Sequence, residues 1–246
     1  MTSKRIRGIL LDIEGTTTPI SFVHDVLFPY ARAHVKSYLA KYLDSPETTA
    51  ILAQLHEEHV SDVEQGLQPP ALINETRDAE LASLVSYVEW LIERDRKSSG
   101  LKALQGKIWE KGYLDGTLQA PLFADVLPAL ELWRRAGLRI AIFSSGSVLA
   151  QKLLFGHTQA GDVTKFIDSY FDTTTGPKLA MESYRSIAVE IAVPAEEILF
   201  VSDVAPELDA AAAAGFQTRL CVRPGNQPQP NQKHRIISSF DEVVLG

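Results

Sequence analysis

The chain has 246 residues, of which 45% are hydrophobic, with 24 Lys and Arg against 31 Asp and Glu. That length suits one large domain or a core carrying a smaller one, and it can bury a core without disulfide or metal staples. The formal charge of −7 and the absence of any Lys/Arg-rich run argue against a nucleic-acid partner, so an anionic ligand must be held by a local site.

Lys4, Arg5 and Arg7 precede Ile9-Leu10-Leu11, but Asp12 and Glu14 interrupt the apolar stretch too early for a secretory segment. No run approaches the roughly 18 apolar residues of a membrane span. The lone Cys221 excludes an intrachain disulfide and any multi-cysteine metal cluster. These features point to a soluble cytoplasmic protein with no membrane partner.

Ile6 to Ile13 is a short apolar run that ends in acidic and Gly/Thr residues, as a strand buried on both faces of a parallel sheet does. From about residue 20 to 118 the pattern becomes helical, with segments at Tyr30–Leu43, Pro46–Val63, around the Leu81, Leu84, Val85, Val88, Leu91, Ile92 stripe, and at Leu101–Tyr113. The division is therefore 1–19 and 119–246 for a core and 20–118 for an inserted all-α unit. In the core, Phe123 to Trp133 repeats at helical spacing before Gly137, and strands follow at Leu138–Phe143, Ile198–Val201 and Gln217–Val222. Pro177 is expected to open a helix through about Ala192, and Pro206 an alanine-rich helix ending at Gly215. Strands alternating with helices imply an α/β fold with a Rossmann-like parallel sheet. The segment from Arg223 to Gln232 reads as a polar surface loop.

Ligands of open parallel sheets bind beyond the carboxyl ends of the strands. After the first run come Asp12-Ile-Glu14-Gly15-Thr16, where the strand period puts both carboxylates on one side. Such a pair can divide nucleophilic and proton-transfer work, or it can simply cap the next helix. After the second come Ser144-Ser145-Gly146-Ser147, a phosphate cradle or an ordinary helix cap. Lys178 falls in the expected first helical turn, where the helix dipole disfavours a cation, so it is either held by an anion or simply a solvated lysine. After Ile198–Val201 come Ser202-Asp203 and, one turn on, Glu207; Asp203 with Asp12 would suit Mg²⁺, or would begin a helix in the common way. No single motif is decisive. Carboxylates, serine, lysine and aspartate in that order at successive strand ends of one sheet amount to a phosphoryl-transfer site.

This order resembles the haloacid dehalogenase superfamily, whose four motifs match Asp12-x-Glu14-Gly-Thr16, Ser144, Lys178 and Ser202-Asp203-x-x-x-Glu207. An insertion between the first two motifs is where that superfamily carries a helical cap. The longer wording of Asp12 to Val23, Leu27 to Ala31, Phe143 to Ser147, Phe171 to Lys178 and Phe200 to Asp203 resembles the enolase-phosphatase family of methionine salvage. The resemblance implies that a phosphorylated diketone, 2,3-diketo-5-methylthiopentyl 1-phosphate, is enolised and then dephosphorylated. It further implies Asp12 as nucleophile, Glu14 as acid and base, and Ser144, Ser145 and Lys178 as phosphate ligands. One Mg²⁺ per chain would be held by Asp12, the Glu14 main-chain carbonyl and Asp203, with Glu207 orienting Lys178. Another Mg²⁺-dependent phosphatase or phosphomutase of the same superfamily is the alternative, and a catalytically silent scaffold a more distant one. Phe22, Trp90, Trp109 and Tyr184 are aromatic candidates for an apolar substrate slot, though each is more readily core packing. The six histidines show no ligand spacing, and a monomer is the default expectation.

Overall fold

In the computed structural model the described residues are 5–94, 96–229 and 233–245. β1 (Gly8–Leu11) is followed, after a π-helical stretch at Phe22–Leu27, by four α-helices, α1 (Phe28–Tyr42), α2 (Pro46–Glu64), α3 (Arg77–Glu93) and α4 (Ser99–Leu114). Then come α5 (Val126–Arg135), β2 (Arg139–Phe143), α6 (Val148–Gly156), β3 (Ser169–Phe171) and α7 (Met181–Glu190). β4 (Ile198–Ser202), α8 (Ala205–Ala213), β5 (Gln217–Cys221) and β6 (Arg235–Ile237) complete the order. Two compact units result: residues Met1–Val23 with Leu118–Gly246, and residues His24–Thr117.

The first unit is a six-stranded, wholly parallel sheet in the order β3-β2-β1-β4-β5-β6, an α/β architecture of Rossmann type. β1 is central because it is apolar on both faces: Ile9, Leu10 and Leu11 are fully buried, as are Ile198 to Val201 of β4. Connections run outward from β1 through β2 to β3 on one side and from β4 to β6 on the other. The sheet therefore reverses direction between β1 and β4, where such sheets bind their ligands. Leu11 pairs with Val201, and Asp12 N–H donates to the Val201 carbonyl at 3.0 Å, so the first residues past both strands lie level. One face is packed by Leu10, Phe143, Phe200, Tyr184, Ile187 and Leu208. α5 buries Val126, Ala129, Leu130 and Trp133, one stripe at helical spacing.

The second unit is all helical. Ala31, Val35 and Leu39 of α1 meet Leu52 and Leu55 of α2, Leu84, Val88 and Leu91 of α3, and Leu104 and Ile108 of α4. Ser45, Thr76 and Ser98 cap α2, α3 and α4 by accepting the N–H of Thr48, Ala79 and Leu101. Glu58 adds to the start of α4, accepting the N–H of Ser99 at 2.8 Å and of Gly100 at 3.1 Å.

Three expectations need correction. β3 and β6 are strands of three residues each, too short to leave an apolar pattern, and they extend the sheet at both edges. The helix expected from Pro177 begins only at Met181. The Pro177 and Lys178 carbonyls are taken by side chains, Ser183 Oγ at 2.8 Å and the Tyr184 hydroxyl at 2.7 Å, so Lys178 lies in an irregular turn and the dipole argument does not apply to it. Finally, the segment after β5 is a surface loop as expected except at its start, where Arg223 is 6% exposed. The 230–232 part of that loop lies outside the described residues.

Candidate active site

Asp12 stands one residue past β1 and is 2% exposed. The turn after it is wound about one carbonyl: Ile13 O accepts the N–H groups of Thr16, Thr17 and Thr18 at 3.2, 2.9 and 3.0 Å, while Gly15 N–H donates to Thr18 O at 2.8 Å. The strand having ended at Leu11, this turn, and not the strand period, sets where Asp12 and Glu14 go. Gly15 has φ of +71°, and a Cβ there would run into the Asp203 carboxylate and lie 2.8 Å from Asn226 Oδ1. Three segments of chain meet at this glycine.

Ser144, wholly buried at the end of β2, donates its hydroxyl to Glu14 Oε2 at 3.3 Å and accepts the Gly146 N–H at 3.1 Å. Ser145 beside it is exposed. The loop that carries them is held from below: Gln151 Nε2 donates to the carbonyls of Gly146 and Phe171, both at 2.8 Å, and Asp172 accepts the Val148 N–H at 3.1 Å.

Lys178 closes the site from the segment after β3. Its Nζ is 2.6 Å from Asp12 Oδ1 and 2.7 Å from Glu207 Oε2, with side-chain exposures of only 10%, 3% and 11%. Glu207, in the first turn of α8, accepts the Ser202 hydroxyl at 3.0 Å, and that hydroxyl accepts the Val204 N–H at 3.1 Å. The lysine is thus aimed by one carboxylate at the other. Burial opposes its charge, yet Asp12 and Glu207 together raise its pKa, so it stays an ammonium.

The acids feel the opposite push. Burial first, then the charge of Asp12, raises Glu14 above its ordinary value. The same two causes bring Asp203 up to about 7 and Glu207 to about 7. Four carboxyl groups, Asp12, Glu14, Asp203 and Glu207, share one ammonium, so the site carries more negative charge than it neutralises. That surplus fits a hard cation. Among the described residues no three His, Cys, Asp or Glu side chains form a ready cage. Mg²⁺ takes one or two carboxylates and leaves its other positions to water and substrate oxygens. Asp12, Asp203 and the Glu14 main-chain carbonyl are the groups that could hold such an ion.

The sequence motifs therefore converge: Asp12, Glu14, Ser144, Lys178, Asp203 and Glu207 surround one point at the switch of the sheet. Asn226 escaped the sequence reading, because a polar side chain in a Pro/Gly-rich segment carries no spacing signal. The aromatic candidates are accounted for by packing. Tyr184 is fully buried among Phe143, Phe200 and Phe216, Phe22 is 6% exposed, and Trp90 stacks on Tyr87 with centroids 5.9 Å apart. Trp109 donates its indole N–H to Leu27 O at 2.8 Å.

Residues 6–215 match the family described as haloacid dehalogenase-like hydrolase. Over 238 residues the chain is 50% identical to "Enolase-phosphatase E1" of Synechococcus elongatus, covering 97% of this chain and 98% of that protein. It is 46% identical to "Enolase-phosphatase E1" of Drosophila grimshawi, covering 96% and 94%. The crystal structure of the UTR4 protein of Saccharomyces cerevisiae superposes with a TM-score of 0.76 at 37% identity, covering 97% of this chain and all of that one.

Proposed function

The chain belongs to the haloacid dehalogenase-like hydrolases and, within them, to the enolase-phosphatases, and on that premise we propose the reaction it performs. The substrate is 2,3-diketo-5-methylthiopentyl 1-phosphate, which is enolised and then dephosphorylated to the acireductone 1,2-dihydroxy-3-keto-5-methylthiopentene of methionine salvage. The observation that carries the phosphoryl-transfer half is the Lys178 Nζ to Asp12 Oδ1 contact of 2.6 Å. It sets an ammonium against one oxygen of Asp12 and fixes the side chain at the strand end, the orientation a carboxylate nucleophile requires.

Asp12 attacks phosphorus, forming an aspartyl phosphate as the bond from phosphorus to the substrate oxygen breaks. Glu14, raised by burial and by Asp12, carries the proton that the leaving oxygen takes. Water then attacks the aspartyl phosphate while Glu14, now ionised, accepts its proton, and inorganic phosphate leaves with Asp12 restored. Ser144, Ser145 and Lys178 hold the phosphoryl oxygens, and Lys178 also stabilises the enolate oxygen of the first step. A single Mg²⁺, held by the Asp12 side chain, the Glu14 main-chain carbonyl and Asp203, supplies charge that offsets repulsion between carboxylate and phosphate. The enzyme acts as a cytoplasmic monomer, whose mass of 27.1 kDa gel filtration would read directly.

The test follows the diketo phosphate anaerobically, recording free phosphate and the ultraviolet absorbance of the conjugated enol. Both signals rise with Mg²⁺, and chelation or Asp12→Asn abolishes phosphate release. Phosphate released only from unrelated esters would overturn the substrate while leaving the Asp12 chemistry in place.

A further inference from the structure

The segment that follows β5 reaches back into the turn that carries Asp12 and Glu14. Arg223 Nε donates to Thr16 O at 3.3 Å, and three residues later Asn226 Nδ2 donates to Gly15 O at 2.9 Å. Two consecutive carbonyls of the turn are thereby held from one short segment, some 210 residues away in sequence. The same segment touches the other acid-bearing strand end, where Gln229 Oε1 accepts the N–H of Ala205, two residues past Asp203, at 3.3 Å.

Closing its own loop does not require Asn226 to reach Gly15. The loop is already closed by Asn226 N–H donating to Arg223 O at 3.1 Å and by Asn226 Nδ2 donating to Cys221 O at 3.2 Å. The segment is also firmly based. Arg223 pairs with Asp125 at 2.8 Å and lies 4.5 and 4.9 Å from the ring centroids of Phe123 and Phe240. Gly15 is held at its N–H by Thr18 O and at its carbonyl by Asn226, and a Cβ added there would meet Asn226 Oδ1 and the Asp203 carboxylate first.

We propose that Asn226 is a positioning residue of the active site: its amide pins Gly15 from the β5 side and so fixes the Glu14–Gly15 backbone against Asp203. This rests on the reading above, in which the Glu14 carbonyl and Asp203 hold Mg²⁺. Residues that orient metal ligands from behind typically change metal affinity or activity by about 10- to 100-fold when replaced.

The experiment compares wild type, Asn226→Ala and Asn226→Ser with Gln227→Ala, an exposed neighbour, as control. Amide hydrogen exchange of metal-free protein and calorimetric titration with MgCl₂ are measured on each. Both Asn226 variants should exchange about tenfold faster in peptides covering residues 10–20, with the rest of the sheet unchanged. They should also bind Mg²⁺ about tenfold or more weakly and lose kcat with little change in KM. Unchanged exchange at 10–20 with unchanged Mg²⁺ affinity overturns the proposal, as does faster exchange spread over the whole sheet, which would mean a merely structural role. Wild-type protein that binds no Mg²⁺ overturns the reading of the metal site instead, and the exchange comparison then decides the role of Asn226 by itself.

Discussion

Tyr184, wholly buried behind the sheet, donates its phenol to the main-chain carbonyl of Lys178 at 2.7 Å. A core residue thereby holds the backbone of the residue that grips Asp12. Tyr184→Phe keeps the ring and deletes only that donor, leaving a carbonyl unpaired at a cost of about 1–2 kcal/mol. A fall in Tm of a few degrees should accompany a kcat about tenfold lower, because Lys178 loses its fixed base. Melting curves and steady-state kinetics on one preparation check this; full activity in the variant would show that Lys178 is held without Tyr184.

The pH dependence of the metal-free protein follows from Asp203, brought up to about 7 by burial and then by Asp12. A carboxyl whose folded value lies above its unfolded value of about 4 stabilises the fold fully only below that unfolded value. Its contribution disappears as pH rises through about 7, and Glu207 behaves alike. Asp203→Asn removes the loss, so in EDTA at pH 8 the variant should melt about 3 °C above wild type, with a smaller difference at pH 5. Mg²⁺ should raise the wild-type Tm and leave the variant's unmoved. Calorimetric scans at the two pH values, with and without metal, decide the matter, and a variant less stable than wild type in EDTA at pH 8 would contradict it.

Asp125 should behave in the opposite sense. Burial works against its charge, but Arg223 at 2.8 Å and the Phe240 N–H at 2.6 Å hold it below the usual carboxylate value. Its stabilisation is therefore present above the unfolded value of about 4 and is lost as pH falls through the lower folded value. Asp125→Asn leaves the Arg223 charge buried without its partner, at about 3 kcal/mol near neutrality. Urea unfolding from pH 8 down to pH 3 should show that difference shrinking at the acid end; a constant gap would mean packing, not charge, is responsible.

Gly15→Ala should act on both function and fold. Its φ of +71° strains any L side chain, and the new methyl would run into the Asp203 carboxylate and Asn226. We expect phosphate release to fall at least about 100-fold with a stability loss of about 1–3 kcal/mol. A variant with wild-type turnover would show that this turn tolerates displacement.

Much of this site is legible in the sequence because a parallel sheet turns chain order into spatial order. Buried strands must be apolar, their carboxyl ends must face one edge, and so Asp12, Ser144 and Asp203 announce themselves as the polar residues that end apolar runs. Lys178 shares that logic only in part, since the strand before it, β3, has three residues and no readable pattern. Its placement before α7 depended on Ser183 and Tyr184 capturing backbone carbonyls, a choice made by side chains that a helical pattern would count as interior. Asn226 was unreadable for another reason: its partner is the carbonyl of Gly15, and a backbone acceptor leaves no mark in a sequence.

The central position of β1 has a consequence for how the protein is made. Residues 8–11 leave the ribosome well before residues 139–142 and 198–201, with which they pair. At roughly 5–20 residues per second, the strand waits about ten seconds or more for its second neighbour. Meanwhile the helices of residues 24–117, which form a compact unit of their own, are complete and free to close. The nascent chain thus carries an apolar strand with two open edges ahead of a finished helical body. The sheet that makes the catalyst is the last part able to assemble, so the growing chain has a folded unit long before it has an active site.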